Sequence, residues 1–464
     1  MMQTDLMIIG AGPGGYRAAS FAAQRGLKVV VFEPAHLGGT CLNEGCIPTK
    51  CYARNAEAVD MMRQAESFGI HYDGGFDFFL AEARQRKDEV IGQLRSGIET
   101  LLAHPNITLV PAEARFLDAD TVEAVPVCCD NVAAKESYSA THIIIATGSV
   151  PKCLPIEGAA LALDSRDLLQ LDRLPASLCI IGAGVIGMEF ASIFSAFGTK
   201  VTVVEFLKEC LPALDGDIAK RLRKVLEKRG VTFNLQCAAK SIEQTGDDGA
   251  MKTVVFEDKK GRQQAVEAEQ VLMAVGRAPR VFDHFSAAGF DYDVRGGIKV
   301  DAHMETSVPG IYAIGDVNGR QMLAHAAEMQ AKIAVDHILQ QHDAAEAADL
   351  SIMPAAIFTS PEAACVGPTE EQLKASATDY ECRKAFHRAN GKALAMAETE
   401  GMVKLFSEPQ AGRILGCHAF GAHSADLVQE VSSLMCRQTT IGQLRQMVHI
   451  HPTLSELLLT AAES

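Results

Sequence analysis

Leu6-Met7-Ile8-Ile9-Gly10-Ala11-Gly12-Pro13-Gly14-Gly15 runs four apolar residues into a glycine-rich turn. A helix-compatible segment follows through Arg25, Gly26 ends it, and Lys28-Val29-Val30-Val31-Phe32 reads as a second strand ending at Glu33. Strand, glycine turn, helix and strand, with an acid 18 residues beyond Gly15, form a dinucleotide-binding fingerprint in its proper context. Gly10, Gly12 and Gly15 permit a tight turn and let backbone approach a pyrophosphate at the helix N-terminus. The Glu33 carboxylate suits the hydroxyls of a ribose.

The arrangement occurs again. Leu178-Cys179-Ile180-Ile181 leads into Gly182, Gly184 and Gly187, a helix to about Phe197, and Val201-Thr202-Val203-Val204-Glu205, with Glu205 again 18 residues past the third glycine. Matching internal spacing marks a duplication of fold, so two nucleotides have to be held. Residues 52–104 read as one or two long helices and 106–147 as short strands. The run Thr141–Ser149, stopped at Gly148, reads as a buried strand returning to the first sheet. Pro151 and Pro155 mark the next boundary, and the second unit closes on Val271–Pro279, which contains Gly276. Residues 306–316 read as a strand ending in Asp316, which can meet ligand hydroxyls, cap the following segment, or both. Residues 342–349 read as a linker, followed by strands from about 380 to 420 and helices ending at His449–Glu456. The expected segments are 1–149, 150–275, 276–347 and 348–464. The expected class is α/β, with two Rossmann-like nucleotide domains followed by an α+β domain.

The totals narrow the partners. A chain of 464 residues has room for about three domains. Net charge of −15, from 43 basic and 58 acidic residues, argues against nucleic acid or an anionic membrane as partner. No run of 18 apolar residues suggests a transmembrane helix. Thirteen scattered cysteines fit a reducing compartment, and the start reads as neither signal nor transit peptide, so a cytoplasmic location is expected.

Gly38-Gly39-Thr40-Cys41-Leu42-Asn43-Glu44-Gly45-Cys46-Ile47-Pro48-Thr49-Lys50 carries the chemistry. Residues five apart on a regular helix have Cα atoms roughly 8–9 Å apart, whereas a disulfide tolerates about 7 Å at most. If Cys41 and Cys46 pair, the turn between them must bend, and Gly39, Gly45 and Pro48 permit bending. Spacing alone leaves two unpaired buried thiols equally open. Cys128 and Cys129, adjacent in the strand region, read as ordinary structural residues.

Together these motifs resemble the FAD-dependent pyridine nucleotide-disulfide oxidoreductases, and within them the dihydrolipoamide dehydrogenases. The resemblance runs from residue 5 to about 460. It rests on both fingerprints, the Gly39–Lys50 segment, Ala146-Thr147-Gly148, Gly276-Arg277, Ile314-Gly315-Asp316, Leu323-Ala324-His325, Thr359-Ser360-Pro361-Glu362, and His451-Pro452-Thr453 with Glu456. It implies a dimerisation role for the last domain and a homodimer with composite active sites. It also implies FAD held by Gly10, Gly12, Gly15, Glu33, Gly39, Thr40, Lys50, Ala114, Thr147, Gly148, Asp316 and Ala324. NAD falls to Gly182, Gly184, Gly187, Glu189, Glu205 and Gly276. The carboxylate of Glu205 would repel a 2′-phosphate, which favours NAD over NADP.

By the same resemblance Cys41 is the interchange thiol, Cys46 faces the flavin, and Lys50 lies beside the flavin ring with Glu189 as its partner. A free thiol is only about 3% ionised at pH 7, so dihydrolipoamide needs a base. His451 is the candidate, oriented by Glu456. The implied partners are lipoyl-bearing proteins of 2-oxoacid dehydrogenase or glycine cleavage type complexes. The competing functions are reductase for another small thiol, NADH diaphorase, and docking subunit of a dehydrogenase complex. A metal pair at His449 and His451 is disfavoured, since their spacing suits a strand and no third ligand follows. His325 fits either packing or a flavin-side contact. Two departures from the family pattern are Cys51, a third thiol expected to face away on the following helix, and Glu44 inside the redox loop.

Overall fold

The computed structural model describes residues 2–126, 136–246, 250–340 and 349–464. Cys128 and Cys129, and most of the expected 342–349 linker, lie outside the described residues. In chain order the first elements are β1 (Met2–Ile9), α1 (Pro13–Gln24), β2 (Val29–Phe32), α2 (Gly39–Glu44), α3 (Cys46–Arg63), α4 (Leu80–Leu102), β3 (Ile107–Val110), β4 (Glu113–Phe116), β5 (Thr121–Val125) and β6 (Glu136–Ile145). The chain divides into two compact units: Met1–Pro48 with Arg84–Lys152 and Arg277–Ala348, and Thr49–Ala83 with Cys153–Gly276 and Asp349–Ser464.

The first unit is built on a sheet ordered β3-β2-β1-β6-β5-β4, with Ile311–Ala313 pairing parallel to β6. β1 runs parallel to both β2 and β6, Leu6 opposite Val29 and Met7 opposite Ile143. Val29–Phe32 is buried along its whole length, as expected of a parallel strand covered on both faces. Met7, Ile9, Phe32, Ile143, Ile145, Phe116, Phe285 and Phe290 form one core. The 52–104 region resolves into the helices α3 and α4. Asp316 departs from expectation in detail. The strand is only Ile311–Ala313, because Pro309-Gly310 turns the chain just before it, and Asp316 sits in a short 3-10 turn, Gly315–Asn318.

The second unit repeats the logic with a parallel sheet ordered Thr232–Leu235, Lys200–Glu205, Ser177–Ile181, Gln270–Met273. Its last segment adds a five-stranded antiparallel sheet ordered Ala355–Ile357, Ala363–Val366, Ile414–Phe420, Met402–Ser407, Glu381–Phe386, covered by the helix Ser424–Cys436. A further helix, Glu456–Glu463, follows the motif at which the sequence reading ended its helices.

Lys404, on the strand Met402–Ser407, is 1% exposed and joins Asp215 at 2.6 Å and Glu370 at 2.7 Å. Asp215 also caps the helix Gly216–Lys228 and donates its N–H to His418 Nδ1. Lys374 and Lys404 pull the Glu370 carboxyl down from its ordinary 4.5 to about 2. Because that value is depressed on folding, the stabilisation is present above the ordinary carboxylate range and is lost as pH falls towards 2. Lys404→Ala strands two carboxylates, one of them fully buried. It should cost about 3–5 kcal/mol, read by calorimetry as an unfolding midpoint lowered by several degrees.

Candidate active site

The two glycine turns repeat each other at atomic detail. Gly10 and Gly182 both adopt φ +104°, and a Cβ on either would lie 2.5 Å from the carbonyl oxygen of Ala146 or Ala274 respectively. A Cβ on Gly15 would meet the Gly10 oxygen at 1.9 Å, and one on Gly187 the Gly182 oxygen at 2.0 Å. Side chains are therefore excluded at all four positions. Gly12 and Gly184 occupy the N-cap positions of α1 and of the helix Val185–Phe197 without any side-chain cap. The first-turn N–H groups are left for a ligand.

Both acids brace their own turns. Glu33 accepts from the Ala11 N–H at 2.8 Å and the Ala35 N–H at 3.0 Å. Glu205, buried, accepts from the Ala183 N–H, and from the Leu207 N–H at 2.7 Å. Each carboxylate retains lone pairs for ribose hydroxyls.

Gly39 approaches Gly12 so closely that a Cβ there would lie 2.7 Å from the Gly12 Cα. α1 and α2 thus bring two uncapped N-termini together, with Thr40 in the first turn of α2. That cradle of backbone N–H groups, free of side chains, fits a pyrophosphate such as FAD carries. Thr147 donates its hydroxyl to the Arg280 carbonyl at 2.7 Å, and the Gly148 carbonyl accepts the Arg280 N–H. Asp316 accepts from the Ser149 hydroxyl, while Arg277 donates to Ser149 Oγ at 2.7 Å and to its carbonyl at 2.8 Å. Burial pushes the Asp316 carboxyl up, opposed by Ser149 and Arg277. Ala114 is buried opposite Ala124, Ala324 opens the helix Ala324–Ile338 with exposed His325 beside it, and Gly276 adopts φ +100° between Gln270–Met273 and Arg277–Pro279.

Cys41 and Cys46 form a disulfide with Cα atoms 4.7 Å apart. The bend comes at Gly45, whose φ −142° and ψ −101° separate α2 from α3. Asn43 ties α2 inward, donating to the carbonyls of Leu37 at 3.0 Å and Gly39 at 2.8 Å, and it accepts from Arg95 at 2.6 Å. Cys51 is buried further along α3.

One turn beyond Cys46, Lys50 reaches Glu189 at 2.9 and 3.1 Å. Glu189 is nearly fully buried and also accepts the Phe358 N–H at 2.9 Å, and the Lys50 ammonium lies 4.6 Å from the centre of the Phe358 ring. The lysine is thereby held in place with its charge only partly neutralised.

His451 Nδ1 lies 2.9 Å from Glu456, whose other oxygen accepts the Thr453 N–H at 2.9 Å. The Thr453 N–H and His451 hold the Glu456 carboxyl below its ordinary range. A carboxylate on Nδ1 puts the proton there and leaves Nε2 as the accepting nitrogen. His449 points elsewhere, towards Glu430. No group of residues able to hold a metal occurs among the described residues, and no helix among them is long and apolar enough to cross a membrane.

Sequence reasoning missed Ser149, Phe358, Asn43 and Glu430. Asn43 lies inside the quoted redox stretch and Ser149 at the end of the quoted Thr141–Ser149 run, so their signals were present; Phe358 and Glu430 carry none.

Two nucleotide cradles, a paired dithiol between them in sequence, and an imidazole braced by a carboxylate define a flavin-linked disulfide oxidoreductase. The chain belongs to the pyridine nucleotide-disulphide oxidoreductases, whose signature spans residues 4–331, with that family's dimerisation domain at 353–462. FAD and NAD are its cofactors. The chain is 37% identical over 461 residues to dihydrolipoyl dehydrogenase of Bacillus subtilis (strain 168), covering 98% of this chain and 96% of that one. It is 34% identical to the dihydrolipoyl dehydrogenase of Mycoplasma pneumoniae, covering 98% and 97%. Among solved structures, the Cu(II) complex of HOCl-induced flavoprotein disulfide reductase RclA from Escherichia coli matches with a TM-score of 0.87 at 29% identity, covering 100% of this chain and 99% of that one.

Proposed function

We propose that the chain is a cytoplasmic, homodimeric dihydrolipoyl dehydrogenase, oxidising the dihydrolipoamide of lipoyl-bearing proteins and delivering the electrons to NAD⁺. The observation that carries this reading is the Cys41–Cys46 disulfide, one helical turn ahead of the Lys50–Glu189 pair. Full-length similarity to dihydrolipoyl dehydrogenases supports it. The segments 1–149, 150–275, 276–347 and 348–464 serve respectively FAD with the dithiol, NAD, completion of the FAD site, and dimerisation.

In this mechanism His451, supplied across the dimer, takes the proton of a dihydrolipoyl thiol on Nε2, and Glu456 stabilises the imidazolium. The resulting thiolate attacks Cys41 Sγ; the Cys41–Cys46 bond breaks and Cys46 leaves as a thiolate. The second lipoyl thiol then attacks the mixed disulfide, releasing cyclic lipoamide and a Cys41 thiol, so two electrons remain on the cysteine pair. Bound FAD supplies the two-electron chemistry that links a dithiol to nicotinamide. Lys50 holds positive charge where negative charge develops, and Glu33 and Glu205 keep the two glycine turns in shape.

A second reading, reductase for a different disulfide, draws on the RclA match. Purified protein should oxidise dihydrolipoamide with NAD⁺ at least about tenfold faster than reduced glutathione, and prefer NAD⁺ to NADP⁺, since one mispaired charge at the ribose is worth about 1.4 kcal/mol or more. Equal rates with glutathione would transfer the assignment to the second reading.

A further inference from the structure

His449 stands two residues ahead of His451 on the segment between Ile441–Leu444 and Glu456–Glu463, in opposite surroundings. The His451 side chain is 80% exposed and that of His449 only 6%. Val448 and Ile450 on either side are 98% and 78% exposed, so of these three residues His449 is the one turned into the fold.

Its Nε2 lies 3.2 Å from a carboxylate oxygen of Glu430, and its Nδ1 lies 3.2 Å from the Met447 carbonyl oxygen. Both partners are acceptors only. The two hydrogen bonds exist together only when both ring nitrogens carry hydrogen, which makes the ring a cation. Glu430 belongs to the helix Ser424–Cys436, packed on the five-stranded sheet, so the pair is anchored to a rigid element. Glu456, and through it His451, faces this pair: the Glu456 carboxyl registers the charge of His449 as well as that of His451.

We propose that His449 and Glu430 form a positioning pair for the His451–Glu456 couple: the ion pair, its imidazole buried and its carboxylate 34% exposed, fixes the segment that presents His451, and the cation helps keep His451 free to accept a proton. The proposal rests on reading His451 as the base, and it gives that reading a second layer. A cation near His451 disfavours its protonation, and the Glu430 carboxylate offsets the effect. Removing the cation alone leaves an unbalanced carboxylate that favours protonated His451. Removing the carboxylate alone does the reverse.

The experiment uses FAD-loaded, full-length protein and the pH profile of kcat/KM for dihydrolipoamide, which rises as the base loses its proton. His449→Gln should move that rise to higher pH by about half a unit, a threefold lower rate on the slope. Glu430→Gln should move it to lower pH. The double variant should lie between the two. A purely structural role would lower the whole profile without these opposed displacements. The proposal falls if His449→Gln leaves the rise in place or lowers it, or if both single variants raise it. Should His449→Gln fail to yield folded protein, Glu430→Gln decides alone: a downward displacement supports the pair, and any other result overturns it. If His451→Gln oxidises dihydrolipoamide at the wild-type rate, the base assignment itself fails, and the positioning role goes with it.

Discussion

Cys41→Ser should bring dihydrolipoamide oxidation down by at least about a thousandfold, because a hydroxyl is neither a disulfide partner nor an exchangeable sulfur. The addition of NADH should still bleach the flavin of the same variant. The two results separate because the nucleotide cradles are built without this side chain: Gly10, Gly15 and Glu33 form one turn, Gly182, Gly187 and Glu205 the other, and α2 contributes backbone that serine leaves unchanged. Serine differs from cysteine by one atom, and Asn43 still ties α2 to the carbonyls of Leu37 and Gly39. The disulfide closes a loop with a sequence separation of only 5. Losing so short a loop costs about 2 kcal/mol by chain entropy, too little to unfold a chain of this size. Stopped-flow absorbance with NADH and steady-state turnover with dihydrolipoamide, on one preparation, make the comparison. Turnover at the wild-type rate in Cys41→Ser would remove the dithiol from the reaction. Loss of both signals in a folded protein would mean that Cys41 serves the nucleotide side as well.

What could be read from the sequence was what local sterics enforce. Glycine at 10, 15, 182 and 187 is demanded by backbone within a few residues or by the adjacent strand, and such demands repeat wherever the turn repeats. The bend between Cys41 and Cys46 was legible for the same reason, since Gly45 lies inside it. Partners brought together by the fold were not. Glu189 lies 139 residues from Lys50 and was assigned to it only through family resemblance. The Phe358 N–H on Glu189 and the Arg277 guanidinium on Ser149 have no pattern that spacing could reveal. Nothing in Met402-Val403-Lys404-Leu405 marks Lys404 as buried. It is buried because Asp215 and Glu370 arrive from elsewhere to receive it. The helix Glu456–Glu463 was missed, since the sequence reading ended its helices at Glu456, although Leu457, Leu458, Ala461 and Ala462 recur at helical spacing and are its buried face. Its first residue had been read as the end of a motif, although Glu456 both braces His451 and opens a helix.

That double duty shapes the second large effect. His451→Gln should lower the thiol half-reaction by about 10² to 10⁴, the usual range for losing a positioned general base, and leave reduction of the flavin by NADH near its wild-type rate. Glutamine can keep a hydrogen bond to Glu456 but cannot accept a proton near neutral pH, so geometry is largely retained while the chemistry is lost. Glu456→Gln tests the division of labour. Its carboxylate, held below the ordinary range by the Thr453 N–H and His451, is ionised across the working range. Neutralising it removes charge that stabilises the imidazolium, so His451 becomes a weaker base and the rise of kcat/KM moves to lower pH as the rate above it falls. In His451→Gln the rise itself should vanish, leaving a shallow dependence set by the ionisation of dihydrolipoamide. A variant that restores rate as pH approaches the thiol range is therefore expected, because the thiolate then forms without help. If the rise instead survives in His451→Gln with its midpoint unmoved, another group takes the proton and the imidazole serves only to shape the site.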